Sequence, residues 1–222
     1  YKSIYGNDLH DFCKHYAVQL NDTHPAMSIP ELIRLLMNEG MSFEEGFEIA
    51  RKTFSYTNHT VLGEALEKWP LDLLRATVPA VADIICRIDH KLRQEGRGLW
   101  VINNDIVHMA NLSIYVGSYI NGVAEIHSQI LKDDCFKDWY AQFPERFQNK
   151  TNGITPRRWL GLCNPELVNL LKTKVGKDFL LELDALSELK GQIDNELIDN
   201  FYAVKRIKKE QLAAIVAKKE GI

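Results

Sequence analysis

Residues 147–160 read FQNKTNGITPRRWL, and the fold turns on that stretch. Phe147 to Thr151 alternates apolar and polar residues, as a short strand does. Asn152-Gly153 is a turn dipeptide, because both residues tolerate the positive φ that closes a tight turn. Thr155 followed by Pro156 reads as an N-cap and a first helical residue. The stretch therefore predicts a strand, an elbow and a helix, with Asn152 on the elbow facing a cleft. On spacing alone, the same elbow also reads as a linker between two domains.

Working outward, similar elbows recur upstream. Residues 1–16 are a polar-aromatic lead-in, helical towards His15. In AVQLNDTHPAMSIPELIRLL, residues 17–36, the apolar run Ala17–Leu20 predicts a buried strand. Asn21, Asp22 and His24 then fall in the loop at its carboxyl end, where open α/β sheets bind ligands. Ser28 and Glu31 have the spacing of a capping box, for a helix that stops at Gly40. Ser42 and Glu45 repeat that spacing for a helix to about Lys52. Thr53–Tyr56 predicts a second strand, with Asn58-His59-Thr60 as its loop. Taken singly, Asp22, His24 and His59 read first as structural hydrogen-bonders.

Val81, Ile84, Ile85, Ile88 and Leu92 recur at helical spacing and predict an amphipathic helix over 79–94, ended by Gly96. Met109–Val116 reads as another buried strand. Tyr119–Val123 then turns the chain into the helix VAEIHSQILK, which leaves the amides of Gly122 and Val123 free at a helix N-terminus. His127, one turn inside, reads as packing. Cys135–Phe143 predicts a short helix. Beyond Trp159 the character changes to helices: one from Asn164-Pro165-Glu166 to Gly176, one over 179–189, and a long one over 195–219 with Phe201, Val204, Ile207, Leu212, Ile215 and Val216 as its apolar stripe. No strand is expected over 160–222, too little for a complete nucleotide-type domain.

The 222 residues are 45% hydrophobic and 26% charged, ordinary for a globular chain. A formal charge of -3 gives no reason to expect nucleic acid or an anionic membrane as partner. No apolar run approaches a membrane span, and Cys13, Cys86, Cys135 and Cys163 lie far apart, as free thiols in a reducing compartment do. No metal-ligand spacing and no Gly-rich phosphate loop is present. With tyrosine at position 1, the chain reads as an internal piece of a longer protein.

Four motifs carry a resemblance. In order, QLNDTHP with IPEL, YTNHTVL with EALEKWP, INGVAEIH, and KTNGITPRRWL resemble the α-glucan phosphorylases, the family of glycogen, starch and maltodextrin phosphorylases. They cover most of residues 17–165. Gly63 departs from the family pattern, where proline is usual. The resemblance implies an α/β fold, a fragment of a two-domain, GT-B-like glycosyltransferase with twin Rossmann-type domains and a helix-rich C-terminal part. Residues 1–153 would close the N-terminal glucan-binding and catalytic domain, and 154–222 would open the C-terminal pyridoxal-phosphate domain.

The implied reaction moves terminal glucosyl units of an α-1,4-glucan to orthophosphate, giving glucose 1-phosphate with retention. His59 would be the catalytic residue, its carbonyl facing the anomeric centre and its ring reaching the 6-hydroxyl. Asp22, His24, Val123 and Asn152 would bind the sugar, and Trp159 would lie near pyridoxal phosphate, whose lysine is not in this chain. Cys86, Asp89 and His90 occupy the helix face where muscle enzymes dock glycogen through an aromatic ring. The whole protein is expected to be a cytoplasmic homodimer, and this chain alone to be inactive. The alternative is a stand-alone glucan-binding or interaction module that kept the sugar-facing loops and lost catalysis.

Overall fold

Strands β1 (Val18–Asn21), β2 (Phe54–Thr57), β6 (Ile120–Gly122) and β7 (Phe147–Asn149) lie side by side in the order β1-β2-β6-β7, every neighbouring pair parallel. The computed structural model describes residues 1–221. The chain divides into two compact units, Tyr1–Asn152 and the remainder from Gly153. The sheet belongs to the first.

Parallel neighbours cannot be joined by tight hairpins, so each connection must cross over, and here helices make the crossings. Between β1 and β2 run the helices Ser28–Asn38 and Phe43–Thr53. The second begins in a full capping box: Ser42 Oγ accepts from the Glu45 amide, and the Glu45 carboxylate accepts from the Ser42 amide. The first does not. Ser28 Oγ donates to the Pro25 carbonyl, and Glu31 is drawn instead to Arg34 by two bonds of 2.7 Å, so the expected box at Ser28 is absent.

Along β2, Phe54 and Tyr56 are buried while Ser55 and Thr57 are half-exposed, the two-residue period of a strand covered on one face. Leu20, Ile120 and Phe147 join the same core with Ile29, Ile33, Phe47, Ile85, Ile88 and Leu92.

Met109–Val116 is a helix, not the strand its sequence suggests. All its residues but Asn111 are buried, so the run shows neither a helical nor a strand period, and such runs are ambiguous by pattern. Its end is set by Gly117, where a Cβ would come within 2.7 Å of the Ser113 carbonyl. Arg146 Nη2 faces the carbonyls of Ile114, Tyr115 and Gly117, answering the unpaired acceptors that every helix end leaves. The third strand of the sheet is therefore β6, a few residues later.

A second, antiparallel sheet was not foreseen: β3 (Lys68–Pro70), β5 (Ile106–His108) and β4 (Ile102–Asn103), in the order β3-β5-β4. Asn104 and Asp105 close the β4–β5 hairpin at φ 49 and 59, the left-handed pair a two-residue turn requires. Asp89, on the helix Pro79–Gln94, fastens it, its Oδ1 accepting from the amides of Val101 and Ile102 at 2.7 and 2.8 Å. That carboxylate points inward. Of the three residues expected on the outer face of this helix, only His90 is exposed, Cys86 being half-buried.

The second unit has a small core of Val168, Val175, Phe179 and Ala185. Its helix Pro165–Lys172 is capped by Asn164, and Asn195–Glu220 by Asp194. The expected helix over 179–189 is instead a 3-10 segment, Leu183–Gly191. Phe201, Ile207, Leu212, Ile215 and Val216 are exposed, so the expected apolar stripe is uncovered in this chain. No strand occurs in this unit among the described residues, and no described helix is long and apolar enough to cross a membrane.

Candidate active site

Because all four strands of the sheet run the same way, their carboxyl ends share one edge. Asp22 follows β1, His59 follows β2, Val123 follows β6, and Asn152 lies three residues past β7. The loops are also bonded to one another. The Asp22 amide donates to the Thr57 carbonyl at 2.9 Å, and Thr60 Oγ1 donates to Asp22 Oδ2 at 3.1 Å. The Asn58 amide donates to the Asn121 carbonyl, and the Asn152 amide to the Val123 carbonyl, each at 2.9 Å.

Asp22 is 8% exposed and sits at φ 60, a left-handed conformation that few residues other than glycine, asparagine and aspartate adopt. Its Oδ1 accepts from the next amide, that of Thr23, at 2.7 Å. Strained backbone of this kind persists where the surroundings over-determine it, here through bonds to Thr57 and Thr60 of the neighbouring strand and its loop.

His24 is mostly exposed, with Nδ1 4.0 Å from Glu67 Oε2. Glu67 is the anchor of this corner: Oε2 accepts from Thr23 Oγ1 and Oε1 from Trp69 Nε1, both at 2.7 Å. His59 is exposed, while its neighbour Asn58 is 0% exposed. In the sequence Asn58 is only one polar residue of a loop, and its burial is what singles it out. Its Nδ2 donates to the Tyr56 hydroxyl at 2.9 Å, and its Oδ1 lies 3.1 Å from His127 Nε2.

The amide of Val123 is not free, contrary to expectation. It donates to His127 Nδ1 at 2.9 Å, and with the carbonyl taken by Asn152 both backbone groups of Val123 are paired within the chain. The approach of the elbow to its own helix is close: a Cβ on Gly122 would lie 2.6 Å from Ser128 Oγ and 2.9 Å from Ser128 Cα and N. Only glycine fits. Burial, aided by the His59 charge and opposed by Asp22, holds the His127 pKa below the ordinary histidine value.

The Asn152-Gly153 turn is also absent in the expected form. Neither residue has positive φ, and Asn152 is exposed. In the second unit, Trp159 lies on the π-helical segment Arg157–Leu162 and is 59% exposed. The Thr155 carbonyl accepts from Arg158 and Trp159, but its side chain makes no cap. Among the described residues, no group of three or more His, Cys, Asp or Glu side chains is placed to hold a metal ion.

The family model described as Phosphorylase, carbohydrate phosphorylase, matches residues 1–222. Maltodextrin phosphorylase of Streptococcus pneumoniae is 41% identical over 221 residues, covering 98% of this chain and 29% of that protein. The H isozyme of alpha-glucan phosphorylase from Triticum aestivum is 42% identical over 230 positions, covering 96% of this chain and 28% of the relative. The brain form of glycogen phosphorylase from Ovis aries is 41% identical over 222 positions, covering 93% and 26%. The chain thus spans less than a third of the length of these relatives.

Proposed function

The chain belongs to the carbohydrate phosphorylase family, and from that premise we propose that it supplies the sugar side of an active site that transfers terminal glucosyl units of an α-1,4-glucan to orthophosphate, with retention. The observation that supports this reading best is the meeting of Asp22, His59, Val123 and Asn152 at the carboxyl edge of one parallel sheet, each on its own loop. A glucosyl ring is ringed by hydroxyls and needs donors and acceptors from several directions, which four loops supply and one does not. The sheet edge is also where open α/β folds bind ligands.

In this reading Asp22 accepts from a sugar hydroxyl with the lone pairs that Thr23 and Thr60 leave over. His59 offers its main-chain carbonyl to the positive charge that develops at the anomeric carbon, and its exposed ring to the 6-hydroxyl. His24 lines the same loop. Val123, its backbone already paired, bounds the ring by shape. Asn152, exposed in this chain, turns its amide to a sugar hydroxyl when the site is closed. Such contacts raise the rate only if they strengthen as charge develops, which suits a carbonyl aimed at an oxocarbenium-like carbon.

The described residues make no cradle for pyridoxal phosphate, since no lysine is buried and Trp159 stands exposed. Holding that cofactor falls to residues outside this chain, with Trp159 a flanking contact. Residues 1–153 are then the end of the glucan-binding domain and 154–222 the start of the cofactor domain of a GT-B-like enzyme, cytoplasmic and dimeric as a whole.

The test is a crystal of the full-length protein soaked with glucose or a short maltooligosaccharide. A ring bonded by Asn152 and seated beside Asp22 and His59 is expected, and a ring seated only elsewhere would overturn the proposal. The isolated chain, incubated with glucan, orthophosphate and excess pyridoxal phosphate, should form no glucose 1-phosphate. Binding of glucan by the chain, together with an inactive full-length protein, would favour the non-catalytic module instead.

A further inference from the structure

The His127 side chain bonds two of the four loops at once. Its Nδ1 lies 2.9 Å from the Val123 amide, and its Nε2 lies 3.1 Å from Oδ1 of the buried Asn58. A main-chain N–H can only donate, so Nδ1 must present a lone pair. The neutral ring then carries its hydrogen on Nε2 and donates it to Asn58. Asn58 in turn donates to Tyr56 and, through its own amide, to the Asn121 carbonyl. One tautomer satisfies every partner in this series.

Resting on the phosphorolytic reading above, we infer that His127 is a positioning residue whose neutral Nε2–H form clamps the Val123 elbow to the Asn58-His59 loop, and that protonation opens the clamp. Adding a proton to Nδ1 sets two donors against each other across the Val123 bond, and the elbow loses its partner. Two titratable groups act on the ring from neighbouring loops. His59 beyond β2 opposes protonation and Asp22 beyond β1 favours it, while burial weighs on the side of the neutral form. The clamp is therefore closed at neutral pH and opens in acid. His59 itself leads directly off Asn58, so the position of its carbonyl depends on a residue that touches no substrate.

Three variants separate the bonds. His127→Asn keeps an acceptor where Nδ1 stood, His127→Gln keeps a donor near Nε2, and His127→Phe keeps the ring alone. In the full-length protein, hydrogen exchange at the Val123 amide should quicken by about tenfold or more in His127→Phe, as for the loss of one buried hydrogen bond, and recover in His127→Asn. The kcat/KM of phosphorolysis should fall about tenfold in His127→Phe and be partly restored in both other variants. The acid limb of its pH profile should be present in the wild type and shallower in His127→Asn, a change that a merely structural role would not produce. Equal protection of Val123 in all four proteins would overturn the clamp. Lost protection with unchanged kcat/KM, while Asn152→Ala is impaired, would overturn the positioning role. If His127→Phe and Asn152→Ala both left kcat/KM unchanged while Val123 lost its protection in His127→Phe, the clamp would be supported and the reading of the site would fail instead.

Discussion

The amide of Asn152, the last residue of the first unit, donates to the carbonyl of Val123 across 2.9 Å. The bond carries the chain past β7 to the elbow that follows β6, so the segment leaving the sheet is tied to the candidate site at the point of exit. Motifs 29 positions apart in the sequence become neighbours through one backbone hydrogen bond.

Gly122 is where this arrangement is least tolerant. A methyl group there meets the main chain of Ser128 at 2.9 Å, and backbone cannot swing aside as a side-chain tip can. Gly122→Ala should destabilise the protein by about 1–3 kcal/mol, the usual cost of overpacking. Urea denaturation gives the value, and an unchanged midpoint would show that the elbow relaxes freely.

Asp22 holds a left-handed backbone at φ 60. Asparagine accepts that conformation and a β-branched residue does not, so Asp22→Val should cost roughly 1–3 kcal/mol more than Asp22→Asn. Thermal unfolding of the two variants compares them directly. Equal stabilities would mean that the strain is carried elsewhere.

The pH dependence follows from the sign of the histidine shifts. His127 and His108 both bind protons less readily when folded, each chiefly because of burial. The unfolded chain then holds more protons just below the ordinary histidine value of about 6.5, so stability rises with pH through that window. Their contribution is complete above the unfolded value and is lost as pH falls through the lowered ones. His10 is shifted upward by Asp8 and Glu45 and works in the opposite sense, but it is fully exposed and heavily screened. Chemical denaturation between mildly acidic and neutral pH should show the rise, and removing the imidazole in His127→Asn should reduce its slope.

Much of this was legible in the sequence. Strand, polar loop and helix recur, and the loops after β1 and β2 are legible because short apolar runs meet clear turn residues, whereas the turn expected at Asn152-Gly153 after β7 does not form. Met109–Val116 was misread because a segment buried on every side has no period to betray it. The β3-β5-β4 sheet escaped because strands of two or three residues carry no pattern, and its anchor, Asp89, looks in the sequence like any polar residue on an exposed helix face. The clamp was hidden for another reason. His127 stands four residues after Val123, a spacing that also fits ordinary helical packing, and its second partner, Asn58, lies 69 residues away. Nor does sequence tell that the Asp22 backbone is left-handed, since that follows from bonds to Thr57 at the end of β2 and Thr60 in the loop beyond it.

The most direct measurement is the kcat/KM of glucan phosphorolysis by the full-length protein carrying Asn152→Ala, with folding verified by thermal unfolding. A hydrogen bond from this amide to a sugar hydroxyl, strongest as the glucosyl unit leaves, predicts a loss of one to two decades, or about 1–3 kcal/mol of transition-state stabilisation. A kcat/KM equal to that of the wild type would return Asn152 to the role of a linker residue and contradict the sugar site at this edge of the sheet.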